Sequence, residues 1–390
     1  MKISGRRIHL AASANPKTPQ ANLDYGHRLI TAVCEHLALA GAGFVLSLGK
    51  DPRSEDPTGS AGLPFIFDWT VADTLARLLA EKRISPTLQD GPLIVCITTH
   101  KTVDQIPPDR LAVWEQLLSS GALDIRQLEG GWTSGAMRRQ MQAPLGDVLL
   151  CMSGGEGVEH LATQYAIQTK PIIPLDLALG SSSDDGRGGA VMLADKMRAH
   201  PERFVRLNDP HRIGALLLQM QTRNGQRPVE DVAAAVLTLL EAIAAPTVFY
   251  VRMLNRTLPA FAEVERYFRE VVDPVVRERG HEPYEMGTAE NTDAWMNSQI
   301  FEQIRQSALC VVDLTDSRPN CLIELGYACG LGKRVIITAR SNTHAPFDIA
   351  AIEHQPWDLA DTNNKLINDL NEYWRRNANR PPLALPPSLL

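Results

Sequence analysis

Residues 309–333 read LCVVDLTDSRPNCLIELGYACGLGK, and this stretch indicates the fold of the second half of the chain. Four apolar residues lead to Asp313, as in a strand that is covered on both faces. A helical stretch follows Pro319, and residues 334–338 form another largely apolar run, RVIIT. A strand, a helix and a second strand in this order predict a parallel β-sheet with a crossover helix.

The helical stretch carries an acidic residue, Glu324, among apolar or small neighbours. A helix that is apolar on nearly every side is buried, and a buried carboxylate is unfavourable unless it has a bonding partner or a functional role. We therefore expect Glu324 to lie in a cleft. Asp313 ends the preceding strand and is expected at the carboxyl edge of the sheet, where α/β proteins bind ligands. Asn320 is placed to cap the helix.

The chemistry of Glu324 has two interpretations. A carboxylate beside the anomeric carbon of a ribose stabilises the oxocarbenium-like state through which an N-glycosidic bond breaks, or forms a covalent adduct. This reaction needs no metal. Alternatively, Glu324 only complements the helix dipole or pairs with a neighbouring arginine.

This pattern resembles the superfamily of nucleoside 2-deoxyribosyltransferase-like and TIR-like proteins. Its members share a strand that ends in Asp, a PNxxxELGxAxGxGK helix and an apolar strand, and the resemblance covers about residues 246–357. It implies that Glu324 is the catalytic glutamate and that Asp313 binds ribose hydroxyls or shapes the pocket. The substrate-binding residues that it implies are Tyr250, Arg252, Thr315 and Asn320. A surface position is the alternative for Arg252, and a core position is the alternative to base stacking for Trp295.

A glycine-rich turn, SGGEG at residues 153–157, follows an apolar strand and opens a helix in the first half of the chain. Backbone N–H groups at such a turn, together with the helix N-terminus, attract an anion such as a phosphate. The alternative is a tight strand-to-helix connection without a ligand. The turn is neither a P-loop nor a complete dinucleotide fingerprint. Arg138 is a candidate to add charge to a phosphate, or else lies on a solvated helix face.

Four segments make the first half resemble the SLOG superfamily, whose best-known members are the lysine-decarboxylase-like LOG proteins. These segments are residues 11–14, 46–50, 153–159 and 170–175. LOG enzymes carry a PGGxGTxxE pattern, whereas this chain has Ser153 in place of Pro and Val158 in place of Thr. The difference fits the ligand-sensing SLOG branch that accompanies sirtuin and TIR effector domains in bacterial antiphage systems such as Thoeris or CBASS. The sensor residues that the resemblance implies are Ser13, Ser153, Gly154, Gly155, Gly157, Glu159 and Arg138.

The 390 residues and the two αβ patterns predict an α/β protein with two Rossmann-like or flavodoxin-like domains. Each domain is expected to be a parallel sheet with helices on both faces. The predicted boundaries are 1–225 for the SLOG-like domain, with a helical extension to about 245, and 246–376 for the TIR-like domain. A Pro-rich tail follows at 377–390.

Composition excludes several classes of function. A net charge of -6 argues against a broad nucleic-acid or anionic-membrane surface, and no apolar run reaches the ~18 residues of a membrane span. The six cysteines form no C-x-x-C pair and the histidines are scattered, so we expect a reduced cytoplasmic protein without a metal site.

The leading functional hypothesis is a ligand-activated NAD+ glycohydrolase of bacterial antiviral defence. A nucleotide-derived messenger, similar to cyclic ADP-ribose or a cyclic nucleotide, would bind the first domain and drive assembly of a homo-oligomer. The second domain would then cleave the nicotinamide–ribose bond of NAD+, which is a substrate and not a cofactor. The alternatives are a nucleoside or nucleotide N-glycosidase or 2-deoxyribosyltransferase, a non-enzymatic oligomerising sensor, and an enzyme that synthesises a cyclic signal.

Overall fold

The computed structural model describes residues 1–55, 61–99, 104–128, 135–180, 189–285, 296–344 and 352–377. The chain divides into two compact units, Met1–Ala244 (unit 1) and Ala245–Leu390 (unit 2). Each unit contains a parallel β-sheet with helices on both faces, which confirms the predicted α/β class. Apart from its first residue, the predicted tail at 377–390 lies outside the described residues, as does Trp295.

Unit 1 is built on a six-stranded sheet and two short hairpins. Its strands are β1 (Arg7–Ser13), β2 (Gly43–Leu46), β3 (Arg53–Glu55), β4 (Ala61–Pro64), β5 (Thr87–Leu88), β6 (Gly91–Pro92), β7 (Ile94–Thr99), β8 (Leu123–Leu128), β9 (Val148–Ser153) and β10 (Ile172–Leu175). The sheet has the order β10-β9-β1-β2-β7-β8, and all its strands are parallel. Strands β3–β4 and β5–β6 form the antiparallel hairpins.

Helices cover both faces of this sheet. They are α1 (Gln20–Leu39), α2 (Asp68–Ala80), α3 (Leu111–Ser119), α4 (Gly135–Gln142), α5 (Glu156–Ile167), α6 (Ala190–Ala199), α7 (Ile213–Met220) and α8 (Val229–Ala242). Along β9, Val148, Leu150 and Met152 face a core shared with α1, α2 and α8, whereas Leu149 and Cys151 face a core shared with α5 and α6. Burial on both faces explains why β9 is an unbroken apolar run rather than an alternating one.

The strand order of unit 1 reverses beside β1. The chain adds β2, β7 and β8 on one side of β1 and then β9 and β10 on the other side. Ser13 at the end of β1 pairs in register with Ser153 at the end of β9. In an open parallel sheet, the crevice at the carboxyl end of such a reversal is the place where ligands bind.

Unit 2 contains a five-stranded parallel sheet of order β12-β11-β13-β14-β15. Its strands are β11 (Thr247–Val251), β12 (Glu282–Tyr284), β13 (Leu309–Asp313), β14 (Arg334–Arg340) and β15 (Gln355–Trp357). Its helices are α9 (Phe261–Tyr267), α10 (Asp273–Glu278), α11 (Met296–Gln306), α12 (Pro319–Gly330) and α13 (Asn363–Asn377), and a π-helical turn at Phe268–Val272 joins α9 to α10.

The two faces of the unit 2 sheet pack against different helices. Leu309 and Val311 of β13 lie in a core with α9, the π-helical turn, α10 and α13. Cys310 and Val312 lie in a core with α11 and α12. We call these the α13 face and the α12 face. Among the described residues, no helix combines the length and the apolar character needed to cross a bilayer.

Candidate functional site

Glu324 lies in the middle of α12 and is half-buried. Its carboxyl has no hydrogen-bond or ion-pair partner among the described residues, and burial raises its pKa to about 7. Burial raises the pKa values of Cys310 on β13 and of Cys321 on α12, and the charge of Glu324 adds to both shifts. The carboxyl is therefore close to the α12 face of the sheet and is partly protonated at neutral pH.

The helix around Glu324 is not buried all round, so that prediction is wrong. Cys321, Leu325 and Ala328 form the face that packs on the sheet. Ile323 is 60% exposed, and Gly326 is exposed as well. Apolar composition predicts that a helix packs against another part of the protein. Which side of the helix is covered depends on the elements that lie next to it in the fold.

Asn320 does not cap α12, so the predicted cap is also wrong. Arg318 occupies the N-cap position, Pro319 is the first helical residue, and no side chain within the described ranges caps the free N–H groups there. Proline is favoured at that first position because it has no N–H to satisfy and its φ is already helical. Asn320 is therefore one position inside the helix and is exposed.

The carboxyl of Asp313 is buried and makes three hydrogen bonds with other residues of the protein. The carboxyl is 2% exposed and accepts hydrogen bonds from the backbone N–H of Thr315 at 3.1 Å, the hydroxyl of Thr338 at 2.8 Å and the indole of Trp357 at 2.8 Å. Burial raises its pKa, although these donors oppose the shift. Thr315 is also buried, and its hydroxyl accepts a bond from the N–H of Arg340.

Tyr250 and Asp313 lie on the α13 face, and Glu324 lies on the other side of the sheet. Trp357, the partner of Asp313, belongs to the core of the α13 face. Tyr250 belongs to the same core, and its hydroxyl donates to Asp273 at 2.7 Å. The structure therefore brings Tyr250 and Asp313 to one face and does not bring either of them to the α12 face.

Arg252 follows β11 and is neither a surface residue nor an unpaired charge. Its guanidinium pairs with Glu265 at 2.7 Å and with Glu285 at 2.5 Å, and it lies over the ring of Phe268. The side chain is 5% exposed. Two carboxylates of the protein therefore already balance the positive charge of Arg252, which the sequence analysis expected to bind the substrate.

The glycine-rich turn of unit 1 lies at the strand reversal. Ser153 and Gly154 have φ values of 53° and 73°, and the N–H of Gly154 donates to the carbonyl of Ser13 at 2.9 Å. A Cβ at Gly154 would lie 2.5 Å from Val158, so the turn requires glycine there. The Ser153 hydroxyl donates to the carbonyl of Gly180.

The other predicted sensor residues line the start of α5. Gly155 is the N-cap of this helix, and no side chain of the described residues caps the free N–H groups. Glu159, in the first turn, accepts a 2.7 Å hydrogen bond from the N–H of Gly189. Gly157 lies against Arg139, because a Cβ there would be 3.2 Å from the guanidinium. Arg138, on α4, lies near Asp68: burial raises the pKa of that carboxyl, and the charge of Arg138 partly opposes the shift.

Sequence reasoning missed Asp68, and it included Ser47 only in the SLOG-like segment 46–50 and not among the sensor residues. Asp68 begins α2, is 7% exposed, and accepts a 2.6 Å bond from the N–H of Ser47 after β2. An acidic residue in the first turn of a helix ordinarily complements the helix dipole. No local signal separated Asp68 from that ordinary role, because its neighbours come from distant parts of the chain.

Metal-ligand chemistry finds no support in the described part of the chain. No group of three or more His, Cys, Asp or Glu side chains there is arranged to hold a metal ion. The six cysteines are free thiols; five are buried and Cys329 is half-buried.

Comparison with known proteins identifies the family. Residues 3–240 match the family described as "ATP nucleosidase Cap17-like, N-terminal". The chain belongs to this family. Two curated relatives named "ATP nucleosidase Cap17", from Escherichia coli and from its strain KTE188, are each 22% identical over 347 residues. The alignment covers 85% of this chain and 65% of each relative, so this Cap17-like chain spans less than two thirds of their length.

The Cap17-like family match falls on unit 1, and Glu324 lies outside it. Among solved structures, the CMP N-glycosidase BcmB of Clostridium botulinum is 17% identical with a TM-score of 0.26, and the match covers 33% of this chain and 98% of that chain. A 2-deoxyribosyltransferase of Bacillus psychrosaccharolyticus is 14% identical with a TM-score of 0.24, covering 31% and 90%. TM-scores this low do not establish a shared fold.

Proposed function

We propose that this chain cleaves the N-glycosidic bond of a nucleotide in antiphage defence, with Glu324 of unit 2 as the catalytic acid. The observation that carries the proposal is the half-buried Glu324 carboxyl, which has a pKa of about 7 and no partner among the described residues. Perturbed carboxyls of this kind concentrate at functional sites. The Cap17-like family and the names of the Escherichia coli relatives support nucleosidase chemistry.

The proposed reaction breaks the bond between the anomeric carbon and the base nitrogen. The electron pair of that bond goes to the base, which takes the proton of Glu324 and leaves as neutral adenine. The carboxylate that remains stabilises the oxocarbenium-like charge on the ribose. Water then adds to the anomeric carbon and returns a proton to Glu324, so the products are the free base and a ribose phosphate.

This acid chemistry favours ATP over NAD+ as the substrate. Adenine leaves a ribose as an anion unless an acid protonates it, whereas the positively charged nicotinamide of NAD+ leaves as a neutral molecule without one. A carboxyl with a pKa of about 7 holds a proton for part of the time at neutral pH. ATP is therefore the first substrate to test, and NAD+, which the sequence pattern favoured, is the second.

Asp313 has a positioning role in this proposal. Its carboxyl is 2% exposed and already accepts three hydrogen bonds, from Thr315, Thr338 and Trp357, so burial keeps it from a ribose hydroxyl. It fixes the end of β13, from which the chain runs into the helix of Glu324. The ion pairs of the buried Arg252 and the Tyr250–Asp273 hydrogen bond are likewise contacts within the protein, and we assign them a structural role.

Unit 1 is the proposed ligand-binding part. The glycine turn at the strand reversal and the uncapped start of α5 support the binding of a phosphate there. The proposed ligand is a nucleotide-derived messenger. Activation requires that this ligand bind one assembly of the chain better than another, and a homo-oligomer is the assembly that we propose.

A second candidate function is signal binding without catalysis. The matched family is described as an N-terminal region, and more than a third of the relatives' length has no counterpart in the alignment. In this case the nucleosidase activity of the relatives belongs to the part that this chain does not match, and Glu324 is not a catalyst here.

The test is release of the base from ATP, NAD+ and deoxynucleosides, measured by chromatography with and without a panel of cyclic nucleotides and cyclic ADP-ribose isomers. Glu324→Gln is compared with Glu302→Gln, whose carboxylate is exposed and paired with Arg305. We expect Glu324→Gln to lower turnover by about 10²- to 10⁴-fold and the control to have no effect. Ligand binding without base release under any condition would favour the second candidate.

A further inference from the structure

A buried carboxylate lies at the carboxyl end of β2, next to the strand reversal of unit 1. Asp68 is bonded to the N–H of Ser47, which directly follows β2. The side-chain amide of Gln142, at the end of α4, donates to the hydroxyl of Ser47. Burial raises the pKa of Asp68 to about 6, so the carboxyl is largely ionised at pH 7.5 and can accept further hydrogen bonds.

Two buried polar atoms nearby have no partner among the described residues. They are the hydroxyl oxygen of Thr98, a side chain that is 1% exposed, and the Nε of Arg138. Thr98 lies on the same face of β7 as Cys96, two residues closer to the carboxyl edge. The N–H of Leu48 donates to the Sγ of Cys96 at 3.4 Å, and the adjacent Ser47 is bonded to Asp68 and to Gln142 at the end of α4, which is the helix of Arg138. These bonds bring Asp68, Cys96 and the end of α4 together at the carboxyl ends of β2 and β7, and the charges of Asp68 and Arg138 that act on Cys96 agree with this placement.

Unpaired polar atoms in a protein interior are unfavourable, and native structures leave few of them. The hydroxyl of Thr98 and the Nε of Arg138 are therefore expected to gain partners from a bound molecule. The neighbouring carboxylate of Asp68 selects a molecule with hydroxyl or N–H donors. These requirements define the chemistry of the ligand.

We propose that Asp68, Thr98 and Arg138 form a ribose-recognition pocket at the carboxyl ends of β2 and β7. The carboxylate of Asp68 accepts a hydrogen bond from a ribose hydroxyl, and Thr98 and Arg138 contact the adjoining part of the nucleotide. This inference deepens the nucleotide-binding role proposed for unit 1 and rests on it.

The strand order supports a nucleotide that lies across the end of β1. The glycine turn follows β9 on one side of β1, and Asp68 lies at β2 on the other side. Strands in a sheet are about 4.8 Å apart, so the two positions are separated by about 10 Å. This distance suits a ribose bearing a diphosphate, with the phosphates at the turn and the ribose hydroxyls at Asp68.

Calorimetric titration of the full chain carrying Glu324→Gln, which removes the proposed catalytic acid, tests the pocket. The probes are ATP and ADP-ribose, each compared with its 2′-deoxy counterpart. We expect at least one ribose probe to bind about 10- to 100-fold more tightly than its deoxy counterpart, as for a hydrogen bond to a charged group. Asp68→Asn should reduce the preference to less than about threefold. Asp73→Asn, on the same helix but 40% exposed and paired with Arg110, should leave the preference unchanged.

Thr98→Val supplies a second test that does not depend on the folding of the Asp68 variant. It keeps the shape of the side chain and removes only a hydroxyl that has no partner among the described residues. We expect binding about 3- to 10-fold weaker, with thermal stability unchanged or higher. Equal binding of ribose and deoxy probes, absence of binding by all four probes, or a Thr98→Val variant that loses stability but not affinity would overturn the proposal. Because turnover is not measured, a failure of the Glu324 chemistry would leave the ribose preference intact.

Discussion

The Oδ2 atom of Asp313 accepts a 2.8 Å hydrogen bond from the indole N–H of Trp357, 44 residues later in the chain. This bond connects the end of β13 to the edge strand β15. Thr338, on the intervening strand β14, donates to the same oxygen at 2.8 Å. One buried carboxylate therefore holds three neighbouring strands together, directly before the segment that leads into the helix of Glu324.

Replacing Asp313 tests this structural role. Asp313→Asn places an amide N–H group against one of the three donors, so we expect the free energy of unfolding to fall by about 2–4 kcal/mol. Urea denaturation measures the change. Thr338→Val removes one of the three donors and should cost about 1 kcal/mol. An Asp313→Asn variant as stable as the wild type would contradict the role.

The pKa of Glu324 predicts how stability changes with pH. The ordinary value is 4.5 and the folded value is about 7, so between these values the folded state holds a proton that the unfolded state has released. This contribution is fully present below pH 4.5 and is lost as the pH rises through 7. Glu324→Gln should therefore be more stable than the wild type at pH 8, by about 1–2 kcal/mol, and equally stable at pH 4. Thermal melts at the two pH values measure this, and a difference of the opposite sign would show that the ionised carboxyl has a stabilising partner.

The same group predicts the pH dependence of turnover. If Glu324 is the acid of the proposed reaction, kcat is expected to fall about tenfold per pH unit above pH 7, because only the protonated form donates. Initial rates of base release from pH 5.5 to 9 measure the profile. A kcat that rises through pH 7 would instead indicate that the ionised form is active, as a nucleophile or base.

Arg252 should matter for stability rather than for ligand affinity. Its removal leaves Glu265 and Glu285 close together without their cation; because these side chains are 41% and 25% exposed, Arg252→Gln is expected to lower the free energy of unfolding by about 1–3 kcal/mol. Arg256→Gln, an exposed arginine after the same strand, should change it by less than about 0.5 kcal/mol. A stable Arg252→Gln variant with a raised KM would instead indicate that Arg252 contacts the substrate.

Gly154 is the glycine at which the turn of unit 1 leaves no room for a side chain. Gly154→Ala adds a methyl group 2.5 Å from Val158 at a φ of 73°, so we expect a loss of about 1–3 kcal/mol together with weaker nucleotide binding. Gly214→Ala is the control, because its Cβ meets nothing within 4 Å and it lies in a helix, where alanine is favoured by up to about 1 kcal/mol. Unchanged binding by a folded Gly154→Ala variant would argue against a ligand at this turn.

Local pattern in the sequence predicts a parallel sheet in each half of the chain, but it does not identify the edge strands β8, β12 and β15. An apolar run such as that of β9 is a strand covered on both faces, and the alternation of strands with helices requires a parallel sheet. The positions of Asp313 at a strand end and of Glu324 on the following helix come from the same local reasoning. These features depend on residues that are neighbours in the chain.

Only the tertiary structure decided what these residues face. A strand alternates its side chains regardless of sequence context, but the helices that cover each face arrive from distant segments, so Tyr250 and Asp313 proved to lie on the face opposite α12. Packing between distant segments also decides which side of α12 is exposed. It likewise brings Thr338 and Trp357 to Asp313, and Ser47 to Asp68. The sequence by itself determined the order and type of the elements through short-range periodicity, and long-range packing determined which side chains remain free for chemistry.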